Sequence, residues 1–257
     1  MQNKFLIHVI NDTLINMNKE TICDYSDYDY KSEFWTNQNR NYEHKLEIKV
    51  VRNLLKKYVK NKLIILDAGC GFGRMSPSYH DLFKQFILVD YAENLLTQAR
   101  ITLKSVQNVD YYQQSLYNLN LNTRTSAIIS IRTLHHLNNI ELLFQQFYNA
   151  LDKDGILILD IPNHYHIKNK LRHPFKKRTP ITKISNAYYN YDPTYVIEKL
   201  TESRFNIICK KQIGLFRIGF IKRIIPATIL VGFEIFLNRF ISALNVGPSV
   251  YVIAKKK

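Results

Sequence analysis

The residues of this chain best suited to chemistry are two acids and three glycines set around short apolar runs. The stretch Leu63–Ser76 reads LIILDAGCGFGRMS, in which Leu63-Ile64-Ile65-Leu66 ends in Asp67, and Gly69, Gly71 and Gly73 follow at alternate positions. Glycine lets the backbone turn tightly and come close to a ligand. A carboxylate at the tip of a strand repels phosphate and suits a ligand with an ammonium or sulfonium group. A dinucleotide fingerprint would need a third glycine where Arg74 stands, and a phosphate-cradling loop would need Gly-Lys-Ser/Thr. A second acid, Asp90, ends the run Phe86-Ile87-Leu88-Val89. An acid about 20 residues beyond such a loop hydrogen-bonds ribose hydroxyls in folds of this kind. Asp90 or Asn94 could instead cap the next helix; the glycine loop upstream favours the ligand.

These residues need a scaffold, and the apolar pattern supplies one. Leu63–Leu66 reads as a strand buried on both faces, and Arg74-Met75-Ser76 as the start of a helix facing the ligand. Ala92–Leu103 has Leu95, Leu96, Ala99 and Leu103 in helical register. Val109–Tyr112 reads as a third strand, with Gln113-Gln114-Ser115-Leu116 after it. Further on, Pro193–Ser203 reads as a helix, Phe205–Lys210 as a strand and Ser249–Ala254 as the last strand. Apolar strands alternating with helices predict an α/β, Rossmann-like, doubly wound and mostly parallel sheet with helices on both faces. Residues 1–61 are expected to form an N-terminal helical lid, rich in aromatics, with a helix over Glu43–Val59. Residues 62–257 then form the ligand-binding domain, with insertions at 164–191 and 218–246.

Asp67-Ala68-Gly69-Cys70-Gly71-Phe72-Gly73 followed by Leu88-Val89-Asp90-Tyr91 resembles the class I S-adenosylmethionine-dependent methyltransferases, in their type 11 small-molecule branch. Ala127–Leu137 resembles the fourth strand of that family and the loop after it. Leu142–Asn163 resembles its helix, Gly-turn and fifth strand. The resemblance implies a seven-stranded sheet with the last strand antiparallel, and S-adenosylmethionine as cofactor with S-adenosylhomocysteine as product. It implies a cofactor site at Asp67, Gly69, Cys70, Gly71, Gly73 and Arg74, with Asp90 and Tyr91 at the ribose. Gln114, Ser115 and Leu116 would stand at the adenine, where the family often has an Asp; here Ser115 or the Gln114 amide would serve. Ile131, Arg132, Arg40 and Tyr42 complete the implied cofactor set, Arg40 and Tyr42 as lid candidates together with Trp35.

Methyl transfer from a sulfonium is an in-line displacement, which rests chiefly on positioning. Some acceptors also need a general base. His136, His164 and His166 are candidates, since histidine titrates near neutral pH. The Leu-His-His-Leu run occurs in similar enzymes with different acceptors, which favours a structural role for His135 and His136.

The chain has 257 residues and a formal net charge of +15. Residues 63–160 carry 7 basic and 9 acidic side chains, whereas residues 161–257 carry 18 and 4. The excess in that last third points to an anionic partner, or to solvated lysines that keep the protein dispersed. Cys23, Cys70 and Cys209 are isolated, which suits a reducing cytosol and no metal site. No secretory leader is expected, since Met1–Glu20 is too polar. Segment 164–191 mixes basic and aromatic residues after the fifth strand, where it is expected to wall the acceptor pocket. Ile224–Val246 reads as one or two helices with a narrow polar stripe at Glu234, Asn238, Ser242 and Asn245. Residues 217–246 suit peripheral membrane contact or a greasy pocket wall; packing on the sheet or on a second copy is the alternative.

The expectation is therefore a cytoplasmic enzyme, peripheral to the membrane if 217–246 meets lipid, that methylates a small-molecule or lipid-like acceptor. An RNA or protein methyltransferase gripping an anionic chain is the alternative. Nucleic acid is disfavoured, because Ser130-Ile131-Arg132-Thr133 lacks an Asn-Pro-Pro-Tyr type motif for a flipped base. A non-catalytic S-adenosylmethionine-binding protein is a third reading.

Overall fold

The computed structural model describes residues 31–36, 40–175, 177–185, 188–217, 219–241 and 247–257. Cys23, Ser242, Asn245 and most of the predicted lid lie outside them. Its centre is a seven-stranded sheet in the order β3-β2-β1-β4-β5-β9-β8. These strands are β1 Ile64–Ala68, β2 Gln85–Asp90, β3 Val109–Gln113, β4 Thr125–Ser130, β5 Leu151–Pro162, β8 Phe205–Ile213 and β9 Ser249–Lys256. β1 through β5 are parallel, and β9 inserts antiparallel between β5 and β8. This is the expected doubly wound sheet. Strands β1, β2 and β4 are buried along nearly their whole length, because helices cover both faces.

The helices are α1 Asn41–Tyr58, α2 Glu93–Thr102, α3 Ile140–Ala150, α4 Ile167–Arg172, α5 Pro193–Glu202, α6 Gly219–Ile224 and α7 Ala227–Ile241. Two start signals act as their chemistry predicts. Asn139 accepts from the Leu142 amide at the start of α3, and Asp192 accepts from the Thr194 amide ahead of Pro193 in α5. One expectation fails: Arg74-Met75-Ser76 opens no α-helix. Two 3₁₀ turns, Ser76–Ser78 and His80–Leu82, stand there instead. Their Ser76 and Tyr79 hydroxyls turn inward to donate to Asp67 Oδ2 at 2.7 and 2.6 Å.

Both insertions leave the sheet at one edge. Segment 164–191 holds α4 and a hairpin of β6 Ile181–Ser185 with β7 Tyr188–Tyr191. It starts just beyond Pro162, which pairs with Ser249, and Ser249 pairs with Ile213, the last residue before the α6–α7 segment. The carboxyl ends of β1, β2 and β4 lie at this same edge, where open α/β sheets bind ligands.

Candidate active site

A cleft opens at that edge. Its floor is the turn after β1. Gly69, Gly71 and Gly73 take φ of +75°, +55° and +71°, the left-handed region that glycine alone enters freely. The three differ in what surrounds them. A Cβ on Gly69 would stand 2.4 Å from Thr133 Oγ1, one on Gly73 would press on Ala99, and one on Gly71 would meet nothing within 4 Å. Gly69 thus lets β1 and the loop after β4 close together, and Gly71 leaves open space above the loop. Gly73 lies outside the cleft wall and packs closely on α2.

Asp90 joins the loop to the next strand. Its Oδ2 accepts the Gly71 amide at 2.8 Å and its Oδ1 the Ala92 amide at 3.0 Å. The carboxylate therefore braces both the glycine turn and the start of α2 while facing the cleft. Burial raises its pKa, against the Ala92, Gly71 and Tyr91 amides that favour the charged form. Each carboxylate oxygen has two lone pairs, so acceptor capacity remains for hydroxyls from the cleft side. Asp67 is also buried at the cleft wall, and burial raises its pKa against the Tyr79 and Ser76 hydroxyls. Burial likewise pushes the Cys70 thiol up, which makes it an inert wall group.

Tyr91, Gln114, Ser115, Leu116, Ile131, Arg132 and His136 also line the cleft. The Gln114 amide group is tied to Asn120, donating to its carbonyl at 3.1 Å and accepting from its N–H at 3.0 Å. Ser115 Oγ accepts from the Tyr117 amide at 3.2 Å and lines the cleft. Arg132 has φ of +60°, unusual for a side chain with a Cβ. Asp160 holds that turn by accepting the Arg132 amide. Burial raises the Asp160 carboxyl to about 6, opposed by Arg132.

A buried acid that the sequence reading missed organises the roof. Glu47 of α1 takes Arg74 Nη2 at 2.6 Å and Arg132 Nε at 3.0 Å. Burial pushes its carboxyl up, yet Arg132 and Arg74 hold it down at about 2. The Arg74 guanidinium lies 3.7 Å from the Trp35 ring centre and that of Arg132 4.9 Å, so Trp35 stands against both cations at the cleft wall. Glu43 and Glu47 share the buried side of α1 with Leu54, and acids in an apolar helical register were the available signal. Thr133, Leu137, Phe72, Met75 and Leu95 complete the wall.

Several predicted residues stand elsewhere. Tyr42 is buried, donates its hydroxyl to Glu234 of α7 and accepts the Phe216 amide. It ties α1 to α7 and does not reach the cleft. Arg40 lies 3.8 Å from the Phe34 ring centre, in a neighbouring hollow. His164 and His166 precede α4 and lie outside the cleft wall. Burial and Lys168 lower the His166 pKa. His135 is buried beside the Tyr188 ring, 4.7 Å between centres, and burial drives its pKa down, so it packs as a neutral ring. His136 alone of the four lines the cleft. Among the described residues no group of three or more His, Cys, Asp or Glu could hold a metal ion.

Comparison with known proteins agrees with this geometry. Residues 66–159 match the family model described as a methyltransferase domain. A malonyl-[acyl-carrier protein] O-methyltransferase of Bacillus cereus is 31% identical over 102 residues, 39% of this chain and 38% of that protein. The chain thus spans less than half the length of the curated relatives it matches. An S-adenosylmethionine-dependent methyltransferase from Clostridium acetobutylicum superposes with a TM-score of 0.58 at 14% identity, over 88% of this chain and 96% of that one. The N-methyltransferase NodS from Bradyrhizobium japonicum, solved with S-adenosyl-L-homocysteine, gives 0.58 at 12% identity, over 86% and 91%. These likenesses establish the fold.

Proposed function

We propose that this chain, whose residues 66–159 match the methyltransferase-domain family model, moves a methyl group from S-adenosylmethionine to a small-molecule or lipid-like acceptor and leaves S-adenosylhomocysteine. The observation that carries the reading is the pairing of Asp90 with the Gly71 amide at the floor of the cleft. It sets a hydroxyl-accepting carboxylate beside a turn with open space above it. Asp90 would hold the ribose hydroxyls, Ser115 and Leu116 the adenine, and Gly69, Cys70 and Gly71 the aminoacyl arm over Asp67. The bound cofactor supplies an electrophilic methyl on a sulfonium. The chain's own part is to hold the acceptor in line with that methyl and exclude water. Trp35, Arg74, Arg132 and His136 would form the acceptor side of the cleft. The relative's malonyl acceptor does not carry over, because similarity to it covers only 39% of this chain.

Calorimetric titration with S-adenosylmethionine tests the reading. Saturable binding near one per chain is expected, with tight competition by S-adenosylhomocysteine. Absence of binding to either would overturn it.

A further inference from the structure

Helix α7 presents its apolar face to the outside. Glu234 and Asn238 are buried, and Glu234 accepts from Tyr42 of α1 and from the Gly214 and Leu215 amides after β8. On the opposite face Ile229, Phe233, Phe236 and Phe240 stand 61, 51, 52 and 69% exposed. Their spacing of four, three and four places them in one stripe. Phe220 and Ile224 of α6 are exposed as well. A helix packed on a globular core turns its apolar side inward, so a stripe of exposed aromatics marks a surface that meets a partner. Among the described residues no helix is long and apolar enough to cross a membrane.

Charge selects the partner. Segment 164–191 carries seven Lys and Arg and no acidic residue. It leaves the same sheet edge as α6–α7 and exposes Leu171 and Phe175 beside Lys170, Arg172 and Lys177. A second copy docked on this face would bring one strongly basic third of the chain against another. An anionic bilayer offers both what the aromatic stripe needs and what the cations need.

We propose that the outward face of α6–α7 docks on an anionic lipid surface, with the cations of 164–191 drawn to its headgroups. Both segments leave the sheet at the edge where the cleft opens. The consequence that the acceptor is a membrane-resident amphiphile rests on the methyl-transfer reading above.

Flotation of the full chain with vesicles tests this, at about 0.1 M salt so that surface attraction is only partly screened. Vesicles of equal parts phosphatidylglycerol and phosphatidylcholine are compared with phosphatidylcholine alone. Partition onto the anionic vesicles is expected to exceed that onto the neutral ones at least tenfold. The double variant Phe236→Ser/Phe240→Ser should lose tenfold or more on anionic vesicles, as should Lys170→Glu/Arg172→Glu. Both should bind S-adenosylmethionine in lipid-free buffer like the parent, which shows that they fold. Equal partition onto both vesicle types, no partition onto either, or a dimer in sedimentation that the Phe double variant dissolves would each overturn the proposal. Cofactor binding is measured without lipid, so failure of the docking face and failure of the methyl-transfer reading are separable.

Discussion

Replacing Glu47 by Gln removes a buried carboxylate that anchors two arginines of the cleft roof. The side chain is 2% exposed, with Arg74 at 2.6 Å, Arg132 Nε at 3.0 Å and Arg217 at 3.8 Å. Its carboxyl is held at about 2 against an ordinary 4.5. That difference corresponds to roughly 3 kcal/mol of stability at pH 7. Removing one partner from a buried ion pair costs about 3–5 kcal/mol, so two independent routes agree in scale. The folded pKa lies below the unfolded one. The contribution is therefore full above about pH 4.5 and is lost as pH falls toward 2, with about half gone near pH 3. Urea unfolding of parent and Glu47→Gln across this range measures it. The stability gap is expected to be roughly 3 kcal/mol at pH 7 and about half that near pH 3. A gap below about 1 kcal/mol at pH 7, the scale of an exposed pair, or one that stays constant down to pH 3, would refute the view that the arginines hold Glu47 ionised.

Asp90→Ala should weaken S-adenosylmethionine binding by about 1.5–3 kcal/mol, the scale of hydrogen bonds to charged groups; unchanged affinity in calorimetry would refute the ribose assignment. Gly69→Ala and Gly71→Ala should separate packing from ligand space. The first puts a Cβ 2.4 Å from Thr133 Oγ1 and should lower the melting temperature more, whereas the second meets nothing within 4 Å and should cost affinity more than stability. The reverse ranking would remove Gly71 from the ligand side. Asp160 has a folded pKa raised from 3.8 to about 6, so its contribution is full below about pH 4 and is lost as pH rises through 6. Asp160→Asn, neutral throughout, should gain roughly 3 kcal/mol on the parent in denaturant unfolding between pH 4 and 8; no relative gain would show that Asp160 is not buried as a strained carboxylate.

What the sequence disclosed depended on how local each feature is. The strands around Asp67 and Asp90 and the positive-φ glycines are short-range patterns, and the hydrogen bond joining Gly71 to Asp90 spans only 19 residues. The Glu47–Arg132 pair spans 85 residues and Tyr42–Glu234 spans 192. No pattern in the chain announces which acid meets which arginine. The failed helix after Gly73 has a different cause. Arg74-Met75-Ser76 has acceptable helix formers, but the buried Asp67 demands donors, and the Ser76 and Tyr79 hydroxyls that meet it break the turn into 3₁₀ pieces. Satisfying a buried carboxylate outweighs the modest propensity gain of one helical turn.

The stripe on α7 shows why periodicity alone could not place the helix. Residues 227–241 have one polar line and one apolar surface, and the 3.6-residue period describes both orientations equally well. The choice is made by groups remote in sequence. The Gly214 and Leu215 amides beyond the end of β8 need an acceptor away from water, and an unmet buried amide costs about 1–3 kcal/mol. Glu234 meets both, and the Tyr42 hydroxyl beside them as well. Once Glu234 is committed inward, Asn238 one turn later must follow it, and its amide donates to the Glu234 carbonyl at 3.1 Å. The aromatics are then left on the outside by helical geometry alone. The same α1 that supplies Tyr42 to this junction supplies Glu47 to Arg74 and Arg132. A force that shifts α7 is thus one helix away from the cleft wall. Docking of the apolar face on lipid should therefore be felt at the cleft through α1, whereas a passive aromatic patch would leave cofactor affinity the same with and without anionic vesicles.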